Sequence, residues 1–127
     1  MRNFWWLIIC AALLIGGCGE TSYSHLTHDE ARAMLNSNPQ AILLDVRTPE
    51  EFAKRHITGA ISLPIEDLRD GDFSKLPDKN AMIIIYCWTG RRAEDSAQIL
   101  TDNGYINVYE MGGIVDWTGS VSGNDLE

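Results

Sequence analysis

The run Ala81–Tyr86, Ala-Met-Ile-Ile-Ile-Tyr, constrains the fold more than any other segment. Consecutive apolar side chains leave no polar face, so a strand built from them must be covered on both sides, as in the centre of a parallel sheet. A helical pattern follows from about Arg92 to Asn103 and is stopped by Gly104. The segment therefore predicts a central strand followed by a helix.

The rest of the chain alternates strands and helices in the same way. Capping boxes that begin at Thr27 and Thr48 predict helices that end near Asn36 and Arg55. Further strands are predicted at 41–44, 56–63 (an edge strand) and 107–109, with helical turns at 66–68 and around Trp117. This alternation predicts an α/β fold: a mainly parallel sheet of about five strands with helices on both faces, whose functional residues collect at the carboxyl ends of the strands.

The N-terminal segment is of a different kind. Arg2 precedes an almost wholly apolar run from Phe4 to Ile15, and a positive start before a short apolar core is typical of a secretory signal. Ile15-Gly16-Gly17-Cys18 resembles a bacterial lipobox, and this resemblance implies that Cys18 becomes the lipidated first residue of the mature protein. An uncleaved membrane anchor is the alternative, but the apolar run falls short of the ~20 residues that span a bilayer.

These features predict the organisation and location of the chain. We expect a lipoprotein signal peptide at 1–17, a tether at 18–22, one domain at 23–119 and a polar tail at 120–127 that frays from Gly119. The domain would be lipid-anchored at the bacterial cell envelope, in the periplasm or otherwise outside the cytoplasmic membrane. The net charge of −8 disfavours nucleic acid and anionic headgroups as partners, so membrane attachment must come from the lipid.

The cysteine count singles out one thiol. Of three cysteines, Cys10 lies in the apolar signal segment and Cys18 would be blocked by the lipid, so Cys87 is left alone. The mature protein could then form no internal disulfide, which excludes dithiol redox chemistry. A lone thiol in an exported protein indicates a reactive or intermolecular role.

The segment Cys87-Trp88-Thr89-Gly90-Arg91-Arg92 runs from the end of the buried strand into the start of a helix. Backbone N–H groups at a helix start have no helical partner and stabilise an anion, which favours the thiolate form of Cys87. Gly90 permits a tight turn. Arg91 and Arg92 are unfavourable there for the helix dipole, so their presence indicates a bound anion. The alternative is that Cys87 is an inert buried side chain and that the arginines are solvated.

Three motifs in this order resemble the rhodanese family over roughly residues 23–118. They are the Cys-x-x-Gly-x-Arg loop after an apolar strand, the segments Leu44–Phe52 and His56–Pro64, and Gly112-Gly113 with Trp117. The resemblance implies a rhodanese-like fold. It also implies that Cys87 accepts a sulfane sulfur from a small anionic donor, such as thiosulfate, a persulfide or a polysulfide.

The same resemblance implies what surrounds the sulfur. The persulfide on Cys87 would be held among the amides of the loop, Trp88, Thr89, Gly90, Arg91 and Arg92, and would pass to a thiol acceptor, either small or a protein. No metal and no organic cofactor are implied. Related phosphatases and arsenate reductases use a loop one residue longer, so the Cys-x4-Arg length favours sulfur over a tetrahedral oxyanion.

Asp45 and Arg47 follow a predicted strand and are expected to support the site rather than to catalyse. Asp45 would accept backbone N–H groups, because buried carboxylates usually have such partners. Arg47 would pair with Glu51 on the following helix.

Other polar and aromatic residues are expected to have structural roles. His56 would make a core hydrogen bond, since a thiolate needs no general base. His25 and His28 are too isolated to indicate a metal site. Trp117 would pack near the loop, and Gly112 with Gly113 would permit backbone turns beside it.

Two other function classes compete with a sulfurtransferase. One is a non-catalytic sulfur-carrier or protein-binding module, which would be free to lose the nucleophile; Cys87 and both arginines therefore favour the enzyme. The other is a phosphatase-like hydrolase, which the loop length disfavours.

Overall fold

Residues 22–126, which the computed structural model describes, alternate strands with helices. The strands are β1 Ser24–His25, β2 Ile42–Asp45, β3 His56–Ile57, β4 Ile61–Ser62, β5 Ile83–Cys87, β6 Val108–Gly113 and β7 Val121–Ser122. The helices are α1 His28–Ser37, α2 Pro49–Lys54, α3 Ile65–Arg69 and α4 Arg91–Asp102, followed by 3-10 turns at Ile114–Asp116 and Asn124–Leu126. None of the helices in this part of the chain is long and apolar enough to cross a membrane.

The main sheet has five parallel strands in the order β1-β6-β5-β2-β4. The apolar strand β5 lies at its centre, and its three isoleucines are completely buried. The prediction of a five-stranded parallel α/β sheet is therefore confirmed. Because all five strands point the same way, their carboxyl ends, including Cys87, share one edge.

Helices cover both faces of this sheet, as predicted. On one face Ile83, Ile85 and Cys87 pack with residues of α3 and α4. On the other face Ile84 and Tyr86 pack with residues of α1. The alternation of side chains along β5 therefore places the Cys87 side chain on the α4 face.

Four short strands differ from the sequence prediction. Residues 56–63 are not one edge strand: β4 joins the main sheet beside β2, whereas β3 pairs antiparallel with β7. The prediction that the chain frays from Gly119 is also wrong, since Val121 lies opposite Ile57 in that pair. Strand β1 falls in a polar segment and was not predicted. A strand of two residues is too short to show the alternation from which strands are recognised.

A buried ion pair follows β2. The Asp45 carboxylate is completely buried and accepts the backbone N–H of Arg47 at 2.9 Å, as predicted. The Arg47 guanidinium donates to Asp45 at 2.8 Å and to the carbonyl of Arg55 at 2.6 Å. The expected Arg47–Glu51 pair is wrong, because the arginine side chain folds back onto the carboxylate two residues earlier. The pair fixes the end of α2 to the end of β2.

Tyr86 connects the same carboxylate to β3. Its hydroxyl accepts the backbone N–H of Ile57 at 3.0 Å. Burial raises the pKa of Tyr86 far above its usual value, and the nearby Asp45 carboxylate adds to the shift. The phenol therefore stays neutral and holds β3 against the central strand.

We predict that Arg47→Met lowers the free energy of unfolding by about 3–5 kcal/mol, because Asp45 is left as a buried charge without its partner. The measurement is urea unfolding of the purified protein. The double variant Asp45→Asn/Arg47→Met removes both charges and should lose less than the single variant. An equal or larger loss in the double variant would contradict this account.

Candidate functional site

Cys87 is the last residue of the central strand and is 1% exposed. The chain then turns through Trp88, Thr89 and Gly90, and α4 begins at Arg91. Gly90 is the N-cap residue and has φ +126°, a conformation that L side chains rarely adopt. The sequence prediction of a thiol between a strand end and a helix start is confirmed.

A backbone amide contacts the sulfur directly. The N–H of Gly90 donates to Cys87 Sγ at 2.9 Å. The first backbone hydrogen bond of α4 runs from Glu94 N–H to the Gly90 carbonyl, so the amides of Arg91 and Arg92 precede the helical ladder and have no helical partner. The sulfur therefore lies where backbone N–H groups favour a negative charge. Its ionisation itself stays a prediction.

The end of β6 supports this loop at very short range. Cys87 lies opposite Gly113 in the sheet, and a Cβ on Gly113 would come within 1.9 Å of the Trp88 carbonyl oxygen. The N–H of Val115 donates to that same oxygen at 3.2 Å. Gly112 lies against Gly90 and has φ +82°. Gly112 permits a turn beside the site, as predicted, whereas Gly113 is extended and is needed because the two backbones touch.

Glu110 is a supporting residue that the sequence analysis missed. It is almost completely buried, and its Oε2 accepts the N–H of Gly112 at 2.9 Å. Its Oε1 pairs with Nδ1 of His25 at 2.5 Å, which links β1 to the end of β6. A single glutamate within an otherwise apolar strand belongs to no motif, so no signal in the sequence marks it. Within residues 22–126 no group of histidine, cysteine and carboxylate side chains could hold a metal ion.

The two loop arginines occupy different environments. The guanidinium of Arg92 forms two hydrogen bonds with the Glu51 carboxylate, at 2.8 and 3.2 Å. These bonds hold the pKa of Glu51 at about 2, well below its usual range. The Glu51 partner raises the pKa of Arg92, and Cys87 adds to that shift. Arg91 is 82% exposed, with Asp95 at 3.7 Å. Of the two cations, Arg92 is the one that belongs to the site.

Two open pockets flank the loop. Trp88, which is 48% exposed, and Arg92 line one of about 430 Å³, together with residues of α2. Thr89 lines the other, of about 480 Å³, together with Gly112, Gly113 and the start of α1. The predicted substrate-binding residues are thus in four different places. The Gly90 amide contacts the sulfur, and Trp88 and Arg92 line the pocket beside α2. Thr89 lines the pocket beside α1, and Arg91 lies on the outer surface.

His56 makes a structural hydrogen bond, as the sequence predicts, whereas the ring contacts of Trp117 are with α1 and its predicted packing near the loop is not among them. Nδ1 of His56 donates to the Phe52 carbonyl at 2.8 Å, and the two rings stack with centroids 3.8 Å apart. Trp117 packs against α1, with its ring 5.4 Å from His28 and 4.8 Å from the Arg32 guanidinium.

Known proteins resemble this chain in sequence and in fold. The thiosulfate sulfurtransferase PspE of Escherichia coli is 36% identical over 73 residues, which cover 58% of this chain and 70% of PspE. The thiosulfate sulfurtransferase GlpE of Stutzerimonas stutzeri is 30% identical over 93 residues, 73% of this chain and 82% of GlpE. The solved structure of a rhodanese with anions from Escherichia coli superposes with a TM-score of 0.60 at 31% identity and covers 66% of this chain and 99% of that one.

The sequence model of the family described as "Rhodanese-like domain" matches residues 27–120, from the N-cap of α1 to the residue before β7. This match includes the thiol, the loop, the Gly-Gly pair and the buried ion pair. The resemblance stated from the motifs is therefore confirmed, and this chain belongs to the rhodanese-like family.

Proposed function

We propose that this protein is a sulfurtransferase that carries a sulfane sulfur as a persulfide on Cys87. Its family and its relatives named thiosulfate sulfurtransferases support sulfurtransferase activity in general. The observation that carries the proposal for this chain is the hydrogen bond from the Gly90 amide to Cys87 Sγ at a helix start. That contact favours the thiolate, which is the nucleophilic form of cysteine.

In the first step the Cys87 thiolate attacks the outer sulfur of the donor. With thiosulfate a new S–S bond forms to Cys87, the S–S bond of the donor breaks, and its electron pair leaves with sulfite. The charge stays in balance, because thiolate and thiosulfate become a persulfide anion and sulfite. The amides of Gly90, Arg91 and Arg92 stabilise the negative sulfur throughout.

In the second step an acceptor thiolate attacks the outer sulfur of the persulfide. The S–S bond breaks, its electron pair returns to Cys87 Sγ, and the acceptor leaves as a persulfide. The enzyme alternates between two covalent states, so ping-pong kinetics are expected. All of the groups used in these steps belong to the chain and its two substrates.

The mechanism needs no general base beside the thiol. His56 donates its Nδ1–H to Phe52 and stacks on that ring, and Glu51 is committed to Arg92. Backbone amides cannot take up protons and act only on charge. Sulfur transfer between anions suits such a site, because neither step requires proton transfer.

A non-catalytic sulfur-carrier or protein-binding module is the second candidate. A backbone hydrogen bond joins Val115 to Trp88, and each of these two residues is 48% exposed. Exposed apolar side chains beside a thiol favour contact with another protein. Turnover with small acceptors distinguishes the enzyme from this module.

We also propose that Cys18 is lipidated and anchors the domain at the bacterial cell envelope, on the extracytoplasmic side. Cys18 and the rest of residues 1–21 lie outside the described residues, so the lipobox-like sequence alone supports this proposal.

Mass spectrometry of the N-terminal peptide tests the anchor. We expect the mature chain from bacterial membranes to begin at Cys18 with a lipid on its thiol, since signal removal and thioether formation act on the same residue. Cys18→Ala is the control and should accumulate with its N-terminal segment retained. A chain that starts at an unmodified Met1 or Cys18 would contradict the proposal.

Cys87→Ser should abolish sulfite release from thiosulfate, because a serine hydroxyl is not ionised at neutral pH and forms no persulfide. Intact-protein mass spectrometry should show an added mass of about 32 Da, one sulfur atom, on the wild type only. If thiosulfate, polysulfide and glutathione persulfide all give neither turnover nor adduct with the wild type, the binding module is the better description.

Gly113→Ala should lower kcat/KM for thiosulfate on the order of 10- to 100-fold, because its Cβ would push the Trp88 carbonyl and displace the loop amides. Gly104→Ala is the matched control: its φ of +92° also disfavours alanine, but it follows the far end of α4. The control should lose stability with little loss of kcat/KM. Equal kinetic losses in the two variants would contradict the role given to the Gly113 contact.

A further inference from the structure

The pocket beside Trp88 is lined by two positively charged side chains that the mechanism does not use. Lys54 is the last residue of α2, and Arg55 follows it; both are exposed and both line this pocket. Among residues 22–126 no carboxylate lies within 4.0 Å of either side-chain charge. The pocket therefore carries unpaired positive charge on a protein whose net charge is −8.

The other charges of the pocket leave this excess in place. Arg47 is neutralised by Asp45, and Arg92 is neutralised by Glu51. Among residues 22–126, Asp125 is the one remaining carboxylate in the lining. Lys54 and Arg55 together therefore outweigh it, and an anion that enters the pocket meets them rather than the paired arginines.

The volume of the pocket indicates the size of its ligand. Thiosulfate has only a handful of heavy atoms, whereas the pocket measures about 430 Å³. That volume lies in the range of about 300–1,000 Å³ that is typical of sites for organic molecules. The half-exposed indole of Trp88 supplies an apolar wall next to Cys87, and the Val115 N–H bond holds its backbone in place. A donor as small as thiosulfate uses little of this space.

We propose that this pocket is the acceptor subsite and that it binds a low-molecular-mass thiol carrying a carboxylate. Lys54 and Arg55 bind the carboxylate, and Trp88 contacts the carbon chain, which leaves the thiol beside Cys87. This inference rests on the proposed sulfurtransferase function. It adds the class of acceptor and the residues that select it.

A purely structural role for the two cations makes a different prediction. Positive side chains at the end of a helix interact favourably with its dipole. Removing them would then change the stability of the protein and would change kcat/KM for all acceptors by the same factor. A comparison between acceptors therefore separates the two roles.

The kinetic test compares glutathione, which carries carboxylates, with the neutral thiol 2-mercaptoethanol. With thiosulfate as donor, sulfite release gives kcat/KM for each acceptor. In Lys54→Gln/Arg55→Gln the ratio of kcat/KM for glutathione to that for 2-mercaptoethanol should fall about fivefold, the upper range for exposed ion pairs. Asp125→Asn should raise the same ratio.

Lys75→Gln/Lys79→Gln is the charge-matched control. Both lysines are outside the pocket lining, and their removal changes the net charge equally. The control should keep the wild-type ratio. An unchanged ratio in the Lys54/Arg55 variant, or an equal fall in the control, would overturn the subsite while leaving the sulfurtransferase function intact.

A binding measurement needs no turnover. Calorimetric titration of the Cys87→Ser protein with S-methylglutathione, which cannot accept sulfur, should show binding that weakens about fivefold when Lys54→Gln/Arg55→Gln is added. Equal binding with and without the two cations, or no binding to either protein, would overturn the proposal. Absence of sulfite release with every acceptor, cyanide included, would instead reject the sulfurtransferase function.

Discussion

The close approach of two backbones at the carboxyl ends of β5 and β6 is the constraint on which the site depends. The Trp88 carbonyl lies so near Gly113 that no side chain could be added there. This contact, together with the Val115 amide, fixes the turn after Cys87 and so directs the Gly90 N–H at the sulfur. A hydrogen bond to a charged group is stronger than one between neutral groups. The hydrogen bond that this turn directs at the sulfur is therefore strongest when Cys87 is a thiolate.

The ion pairs around the loop hold α2, β2 and α4 in place and add little free positive charge near the sulfur. The Arg47 side chain ties α2 to the end of β2, and Arg92 ties α2 to the start of α4. Each arginine is neutralised by a carboxylate, so neither leaves a free positive charge at the sulfur. The sequence alone suggested that Arg91 and Arg92 both indicate a bound anion, whereas the structure places Arg91 on the surface. In the proposed mechanism, the negative charge on the sulfur would therefore be stabilised mainly by backbone amides.

The sequence predicts the parts of the fold that have a local cause. The apolar run predicts β5, and both capping boxes are present as hydrogen-bonded pairs at Thr27 and Thr48. The thiol loop follows from these elements and from the rhodanese-like motifs. The pairing of β3 with β7 joins residues that are distant in sequence, and no local pattern marks it. The same holds for Glu110, whose role depends on a turn two residues later and on His25 of another strand.

Backbone amides and side chains have different roles at the site, and this difference affects substrate specificity. Amides of a helix start stabilise any negative sulfur and do not distinguish one substrate from another. Selection must then come from side chains at the rim, within about 8–10 Å, since salt screens charges beyond that distance. On an acidic protein the rim attracts anions only where cations exceed carboxylates, and within the described part of the chain this is the case beside Lys54 and Arg55. Lys54 is the last residue of α2, Arg55 follows it, and neither side chain donates to the Cys87 sulfur. Substitutions of these two residues can therefore change the preference for one substrate over another without disturbing the chemistry at Cys87.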